Sequence, residues 1–575
     1  MLKKIRIRGF RSFSQDSFQE AVFTPVTFIV GENSSGKSNL LEAVKFALDP
    51  KNSTIKREDF SIRRSTSSKG KVTEKKAKSI DIELVFDNPR SHFPIEALYG
   101  LRHAQEVTLG CRATGRGEGK YVKEFRINNR PIMRIKKYRR LQPEEAAKRV
   151  LSRLKYDISP VTRSSESIKE LKQLLPMRTS STSRAALERF ERTVQSTFKR
   201  WESKLYKDLR KRIAIDAVID DAGALGSLTL DVNVVDDFTI PLRNSGQGFI
   251  SDVLLYLFLM RNRGAIVAVE EPEIHKHPNR IRRFVEVVRK QKAPSQVLLT
   301  THSPLLATSA GLDEIVFVSK SGRYTRVQQL NTEGLREDQK REFTRIRAKL
   351  FQQYQSTEML FSSGIILVEG PTDRIAYDLA GLSMDLGLRE KGFTIIELGG
   401  ADSFSPYITL CSLLDIPWVL LLDQNRFIQS GQKGKALQEL EKRQWITKDA
   451  GEKLLKEWKY VRRRRAYCAE INDQLRKYHG AIVPLPHDDI TDAARSALES
   501  AFHRAIINDG WYRDVHDRLV GHQFETDTAR IKSRVIQGID DISELSQILE
   551  RLPPNAMGDI GSSLRYAVQA LKKPE

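Results

Sequence analysis

Apolar residues along this chain fall into short β-rich runs separated by stretches of helical spacing. From Leu2, "LKKIRIRGF" alternates basic and apolar residues, the period of a strand with one buried face, and its many charges are those of an edge strand. "VTFIV" is an unbroken apolar run, and "NLLEAVKFAL" repeats its apolar residues at helical intervals. Between them "GENSSGKS" reads as a glycine loop, so the first 50 or so residues run strand, strand, loop, helix. The polar stretch "KREDFSIRRSTSSKGKVTEKKAKS" has no period and reads as an exposed loop; "IDIELVF" then resumes a strand, and the chain to about residue 158 is β-rich.

From Ser167 to about Ile213 the pattern becomes helical and strongly charged, two helices divided by "RTSSTS". "SLTLDVNVV", "SDVLLYLFLMR", "AIVAVEEP", "IRRFVEVVRK" and "QVLLTTHSP" then alternate strand and helix, which predicts a largely parallel sheet with helices on its faces. A basic helical segment leads to a second set of strands, "GIILVEG", "FTIIELGG" and "WVLLLD", with helices between them and a charged helical region after them. The expected boundary lies at about residue 345, giving an α/β domain over 1–345 and another over 346–575. There is no internal repeat.

A length of 575 residues is enough for several domains with full cores and excludes a single small binding module. With 96 Lys and Arg against 73 Asp and Glu, the formal charge of +23 attracts polyanions, nucleic acid first and anionic membrane second. The three cysteines, Cys111, Cys411 and Cys468, are too few and too widely spaced for a disulfide framework or a metal knuckle, so a reducing compartment is expected. The N-terminus lacks the apolar core of a secretory signal, and the longest apolar run, Val253–Met260, is too short to span a bilayer. A soluble, cytoplasmic protein without a membrane partner is the expectation.

Gly31–Ser38 matches GxxxxGK[ST] between a strand and a helix. Backbone amides around Asn33 and Gly36 can fold about phosphates, Lys37 can reach the β and γ phosphates, the Ser38 hydroxyl can ligate Mg²⁺, and Asn39 begins the helix that adds its dipole. In "AIVAVEEP" an apolar strand ends in two acids: Glu270 suits the Mg²⁺ shell and Glu271 the orienting of an attacking water. His302 ends the strand of "LLTTHSP", where it can sense a γ-phosphate.

"RNSGQGF" lies before the helix that leads to this acidic strand. The order P-loop, SGxG-like signature, EEP and THSP resembles the ABC-type ATPase heads of the structural-maintenance and RecF kind. That resemblance implies that ATP joins two heads, with Ser245 and Gly246 of one closing on the nucleotide of the other, and that Arg11 of "IRGFRSF" lies near the nucleotide. No sustained heptad run separates P-loop from signature, which excludes a long coiled coil. The helical pair at about 160–215 is expected to be a dimerisation insert.

"VEGPTD", "IIELGG" and "LLLDQN" resemble a Toprim domain, in which carboxylates from adjacent parallel strand ends hold divalent cations that clamp a scissile phosphate and activate water. The resemblance implies Glu369 as lead ligand or base, Asp373 as a second acid, and Asp423 heading the DxD element. Asn425 replaces that element's second Asp: its amide can ligate a metal but carries no charge. "LPHDDITDAA" resembles the later acidic element, with Asp488, Asp489 and Asp492 as candidates, and Lys532 is the candidate for a transition-state cation. Arg462, Arg463, Arg464 and Arg465, packed between aromatics in "WKYVRRRRAY", and the cluster Arg134–Arg140 could contact nucleic acid by charge and stacking.

An ABC-type head with a helical dimerisation insert, followed by a Toprim α/β domain with a helical C-terminal region, resembles the OLD (overcoming lysogenisation defect) family, which includes Gabija-type and retron-associated antiphage nucleases. The resemblance implies an ATP-regulated endonuclease or nickase using Mg²⁺ or Mn²⁺ on DNA, a homodimer or higher even oligomer through the ATPase half, and a helicase-like protein or a retron reverse transcriptase with its DNA as partner. Two alternatives stay open: an ATP-gated DNA clamp or sensor with a weak Toprim site, and a Toprim nuclease acting on RNA such as tRNA.

Overall fold

The structure is a computed structural model. It describes residues 1–158 except 67–71, 99–100, 102 and 116–120; the strands at 212–219, 225–235 and 238–241; most of 262–329, with single helical positions at 251, 255, 258 and 259; 357–485 except 401–402, 430 and 458–460; and 558–571. Contacts divide the chain into two compact units, Met1–Gln329 and Leu330–Glu575. The boundary expected near residue 345 lies outside the described residues, as does the helical pair expected at 160–215 up to Arg212, where a strand begins.

The first unit is built on two six-stranded sheets. One is antiparallel, in the order β2 (Gln19–Val22), β1 (Leu2–Arg8), β6 (Ser79–Asp87), β7 (Glu106–Gly115), β8 (Tyr121–Ile127) and β9 (Arg130–Pro131). The other runs β10 (Tyr156–Ile158), β14 (Ile266–Glu270), β15 (Gln296–Thr301), β3 (Val26–Val30), β16 (Ile315–Ser321) and β17 (Tyr324–Gln329), parallel throughout except for β17. The strands β11 (Arg212–Ile219), β12 (Leu225–Val235) and β13 (Phe238–Pro241) form a separate antiparallel sheet.

Strand β1 is interior to its sheet, where its charges suggested an edge. Leu2, Ile5 and Ile7 face the core, and the intervening basic residues meet acids on both neighbouring strands: Lys4 and Arg6 with Glu20 of β2, Arg6 with Glu83 and Arg8 with Asp81 of β6. Cross-strand neutralisation removes the need for an open edge. The aperiodic polar stretch after residue 55 also differs from expectation, since β4 (Ile62–Thr66) and β5 (Val72–Lys76) pair as an antiparallel ribbon. Such a ribbon satisfies its backbone across the pair and needs no apolar period to do so.

Helix α1 (Lys37–Leu48) lies between the two sheets, burying Leu40, Leu41, Val44 and Ala47 against β6 on one side and β10 and β15 on the other. Its C-terminal carbonyls are met by buried Lys123 of β8, whose Nζ donates to Phe46 and Asp49 carbonyls at 3.0 Å each and lies 4.0 Å from the Phe46 ring centre. A cation at the negative end of a helix stabilises it, while burial pulls the Lys123 pKa down. Helices α2 (Pro143–Val150) and α3 (Pro278–Lys290) also belong to this unit.

The second unit holds a four-stranded parallel sheet, β19 (Phe393–Glu397), β18 (Gly364–Val368), β20 (Trp418–Asp423) and β23 (Gly480–Leu485), with a small ribbon of β21 (Ile428–Gln429) and β22 (Gln432–Lys433). All five residues of β18 are buried, as parallel strands covered on both faces require. Helix α4 (Pro371–Ser383) follows β18, α5 (Phe404–Leu413) follows β19, α6 (Val461–Leu475) precedes β23, and α7 (Gly558–Leu571) packs on α4 and the sheet. The three cysteines are free and buried, and burial pushes the Cys111 thiol up to about 12. Among the described residues no helix is long and apolar enough to cross a membrane.

Gln296, fully buried at the start of β15, ties the two large sheets together. Its amide donates to the Leu2 and Thr24 carbonyls at 2.8 and 3.0 Å, and its oxygen accepts from the Leu2 amide at 3.1 Å. Gln296→Leu leaves these groups buried without partners, so a loss of about 2 kcal/mol is expected in denaturant unfolding of the full chain; an unchanged midpoint would refute this link.

Candidate nucleotide and metal sites

Val30 ends a fully buried strand, and the chain then turns through Gly31 (φ 155°), Ser34 (φ 61°) and Gly36 (φ 113°) into α1. Gly36 cannot be larger, because a Cβ would meet the Thr325 side chain. Thr325 Oγ1 lies 2.8 Å from the Ser35 carbonyl and 2.7 Å from Ser12 Oγ, and Asn39 Nδ2 donates to that same serine at 2.8 Å. The glycine loop is thereby held from both sides.

Lys37 folds back over the loop, donating to the Gly31 and Glu32 carbonyls at 2.9 and 2.8 Å. Burial lowers its pKa, opposed by the carboxylates of Glu271, Glu273 and Glu32. Ser35 Oγ is buried without a hydrogen-bond partner. An ammonium parked on main-chain carbonyls, an orphan hydroxyl and a left-handed loop at a helix N-terminus fit a nucleotide phosphate chain. Asn33 and Ser38 are both exposed on this loop.

On the same parallel sheet, Glu270 ends β14 beside β15 and Glu271 turns the chain in the left-handed region (φ 44°), its amide donating to the Thr300 carbonyl at 3.0 Å. Glu271 Oε1 lies 3.2 Å from His302 Nδ1, so acid and histidine come together as expected. Sequence reasoning missed Glu273. Its Oε1 accepts from Thr301 Oγ1 at 2.5 Å and from the His302 amide at 3.3 Å, while its Oε2 is buried without a partner. The available signal was its place two residues after the acid pair, in "EEPE". Arg11 is engaged by Asp59, Nε to Oδ1 at 3.2 Å. Ser245 and Gly246 lie outside the described residues.

In the second unit Glu369 directly follows β18, and Asp423 is the last residue of the adjacent parallel strand β20. Asp373 occupies the first turn of α4, where Oδ2 accepts the Gly370 amide at 2.8 Å, a helix-capping role. One turn on, Tyr377 is 1% exposed and its hydroxyl lacks a hydrogen-bond partner. Burial, then the charges of Asp373 and Asp423, push its pKa well up. Tyr377 was legible only as the residue four places after Asp373 on one helix face.

Glu369 is held by a residue the sequence reading passed over. Arg426, on the helical turn Gln424–Phe427, donates Nε to Oε2 at 2.9 Å and Nη2 to Oε1. Asn425 lies on that turn, its side chain outside the described residues, as are Asp488, Asp489, Asp492 and Lys532. Among the described residues no three acids, histidines or cysteines stand close enough to enclose a metal. The oxygen donors of Glu369 and Asp423 at adjacent strand ends nevertheless suit a hard divalent cation.

Residues 462–465 begin α6, but their side chains lie outside the described set. In the other basic cluster Arg134, Lys136, Lys137, Arg139 and Arg140 are exposed, whereas Tyr138 is 2% exposed. That strip can meet phosphates, but its aromatic ring is unavailable for the stacking expected of it.

Residues 26–308 match the family described as "AAA domain, putative AbiEii toxin, Type IV TA system", and residues 360–424 match "Overcoming lysogenization defect protein-like, TOPRIM domain". The chain thus carries an AAA-type ATPase match followed by an OLD-like Toprim match. An OLD nuclease of Thermus scotoductus is 24% identical over 451 residues, 74% of this chain and 82% of its own. The Smc chromosome partition protein of Rhodopirellula baltica is 31% identical over 123 residues, 21% of this chain and 9% of its own length. An Smc head bound to the C-winged helix domain of ScpA superposes with a TM-score of 0.43 at 17% identity, over 58% of this chain and 98% of that one. The SMC head of Thermotoga maritima gives 0.35 at 16% identity, over 58% and 99%. This chain thus joins an ATPase domain to a nuclease-type Toprim domain.

Glu273 supplies a test of the head's electrostatics. Its folded pKa is raised by burial, so between the ordinary carboxylate range and that raised value the folded state binds more protons than the unfolded one. Stability carried by protonated Glu273 is complete at low pH and is lost as pH rises through the folded value. Glu273→Gln is expected to flatten the fall in Tm across that window; an unchanged Tm–pH profile would contradict the assignment.

Proposed function

We propose that this chain is an ATP-regulated, divalent-metal-dependent endonuclease or nickase acting on DNA. What carries the reading is the placement of Glu369 and Asp423 at the ends of adjacent parallel strands within the Toprim match. The ATP-binding head supplies the regulation. With nucleotide bound, Lys37 would leave the loop carbonyls for the phosphates, Ser38 and Glu270 would hold the nucleotide's Mg²⁺, and Glu271 with His302 would orient the attacking water. Ser245 and Gly246 close on the nucleotide of a second chain, making the working unit a homodimer or higher even oligomer.

In the Toprim half, Glu369 and Asp423 would hold Mg²⁺ or Mn²⁺, with Asn425 and one of Asp488, Asp489 or Asp492 completing the set. Bound there, the cation would polarise the phosphodiester and lower the pKa of water. Asp373 fixes the first turn of α4 through the Gly370 amide and so sets the direction of the chain leaving Glu369. Lys532 offsets charge developing on phosphate. The net charge of +23 and the exposed strip at Arg134–Arg140, together with Arg462–Arg465, favour a long polyanion. Antiphage defence in a prokaryotic cytoplasm, with a helicase-like or reverse-transcriptase partner, is the setting proposed for this activity.

A second reading, an ATP-gated DNA clamp with a weak Toprim site, is favoured by one observation: Glu369 and Asp373 both have protein partners already. Supercoiled plasmid incubated with Mg²⁺ or Mn²⁺, with and without ATP, separates the two. Wild type is expected to nick or linearise it, and Glu369→Ala to cut on the order of 100-fold more slowly while still binding ATP. Full cleavage by Glu369→Ala would sink the site; no cleavage by wild type, with labelled RNA run in parallel and also uncut, would favour the clamp.

A further inference from the structure

We infer that Arg426 is the resident counter-ion of Glu369, a positioning residue that a divalent cation must displace before it can use this carboxylate. The inference rests on the metal-dependent reading above and concerns how that site is loaded. The guanidinium spends both carboxylate oxygens of Glu369, Nε on Oε2 at 2.9 Å and Nη2 on Oε1. A planar fork of this kind matches a carboxylate with two parallel bonds, so a cation and Arg426 cannot both hold the same pair of oxygens. Side-chain exposures of 40% and 27% leave the pair open to exchange with solvent ions.

One further feature favours exchange. One turn after Asp373 on α4, buried Tyr377 has a hydroxyl without a hydrogen-bond partner, and burial, then the charges of Asp373 and Asp423, raise its pKa. A buried unsatisfied donor is costly, and a shift of either carboxylate toward it removes that cost. Once released, Arg426 remains tethered at the strand edge where the phosphodiester is expected, and its fork suits phosphate as well as carboxylate.

Mn²⁺ binding to the nucleotide-free full chain, followed by the electron paramagnetic resonance of the free ion, tests this. Arg426→Gln is expected to bind Mn²⁺ on the order of fivefold more tightly than wild type, and Arg426→Lys, which keeps the charge without the fork, to fall between them. In EDTA, Arg426→Gln should melt below wild type and recover on adding Mn²⁺. Unchanged or weaker Mn²⁺ binding in a cooperatively melting Arg426→Gln overturns the inference; should that variant not fold, wild-type affinity in Arg426→Lys does so instead. The titration does not read cleavage. A wild type that cuts nothing, beside an Arg426→Gln with tightened Mn²⁺ binding, refutes the proposed function and leaves this inference standing.

Discussion

Carboxylates crowded where parallel strands end are the constraint around which both halves of this chain are arranged. Parallel strands are buried on both faces, so acids at their tips sit at the margin of a low-dielectric interior, where like charges repel strongly. In the head, Lys37 is 6% exposed amid the fields of Glu271, Glu273 and Glu32, and Glu273 is pushed toward its neutral form by burial. In the Toprim half, Arg426 takes both oxygens of Glu369. Each unit therefore carries its own cation against its own acids. Ligands at such sites exchange for an internal partner.

The scaffolding that makes this possible is long-range. The Ser35 carbonyl is met by Thr325 from 290 residues away, and Gly36 has no side chain because that threonine occupies the space. Gln296 holds Leu2 across 294 residues and so fixes one sheet on the other. Between those sheets α1 is buried and its C-terminus is neutralised by Lys123, so the helix that follows the glycine loop is secured along its length. Movement of the β16–β17 hairpin would be felt directly at the glycine loop.

How much of this was legible follows from the range of each interaction. The glycine loop, the acid pair, the parallel sheets and the strand-end acids Glu369 and Asp423 are local patterns, and each fell on the element its period predicted. Strand β1 was misplaced to an edge because its neutralising acids, Glu20, Glu83 and Asp81, come from other strands, and pairing is invisible to periodicity. The β4–β5 ribbon has no apolar period to read. Arg426 stood one residue past the motif and gained meaning only when the chain brought it 57 positions back to Glu369. Thr325 and Tyr377 likewise lack any motif; their roles come from where the fold buries them.

The two internal cations also differ in what exchange asks of them. Lys37 is a point charge resting on neutral carbonyls, so a phosphate chain gives it a better partner and no ion pair is lost. Arg426 must surrender a two-bonded carboxylate, so a metal arriving alone has to outbid that pair. If a phosphate arrives as well, the freed guanidinium regains an anionic partner, and the cost of displacing it falls. Linkage then requires the converse: each ligand raises the other's affinity by the same factor. Metal loading and substrate binding would then be coupled through one side chain.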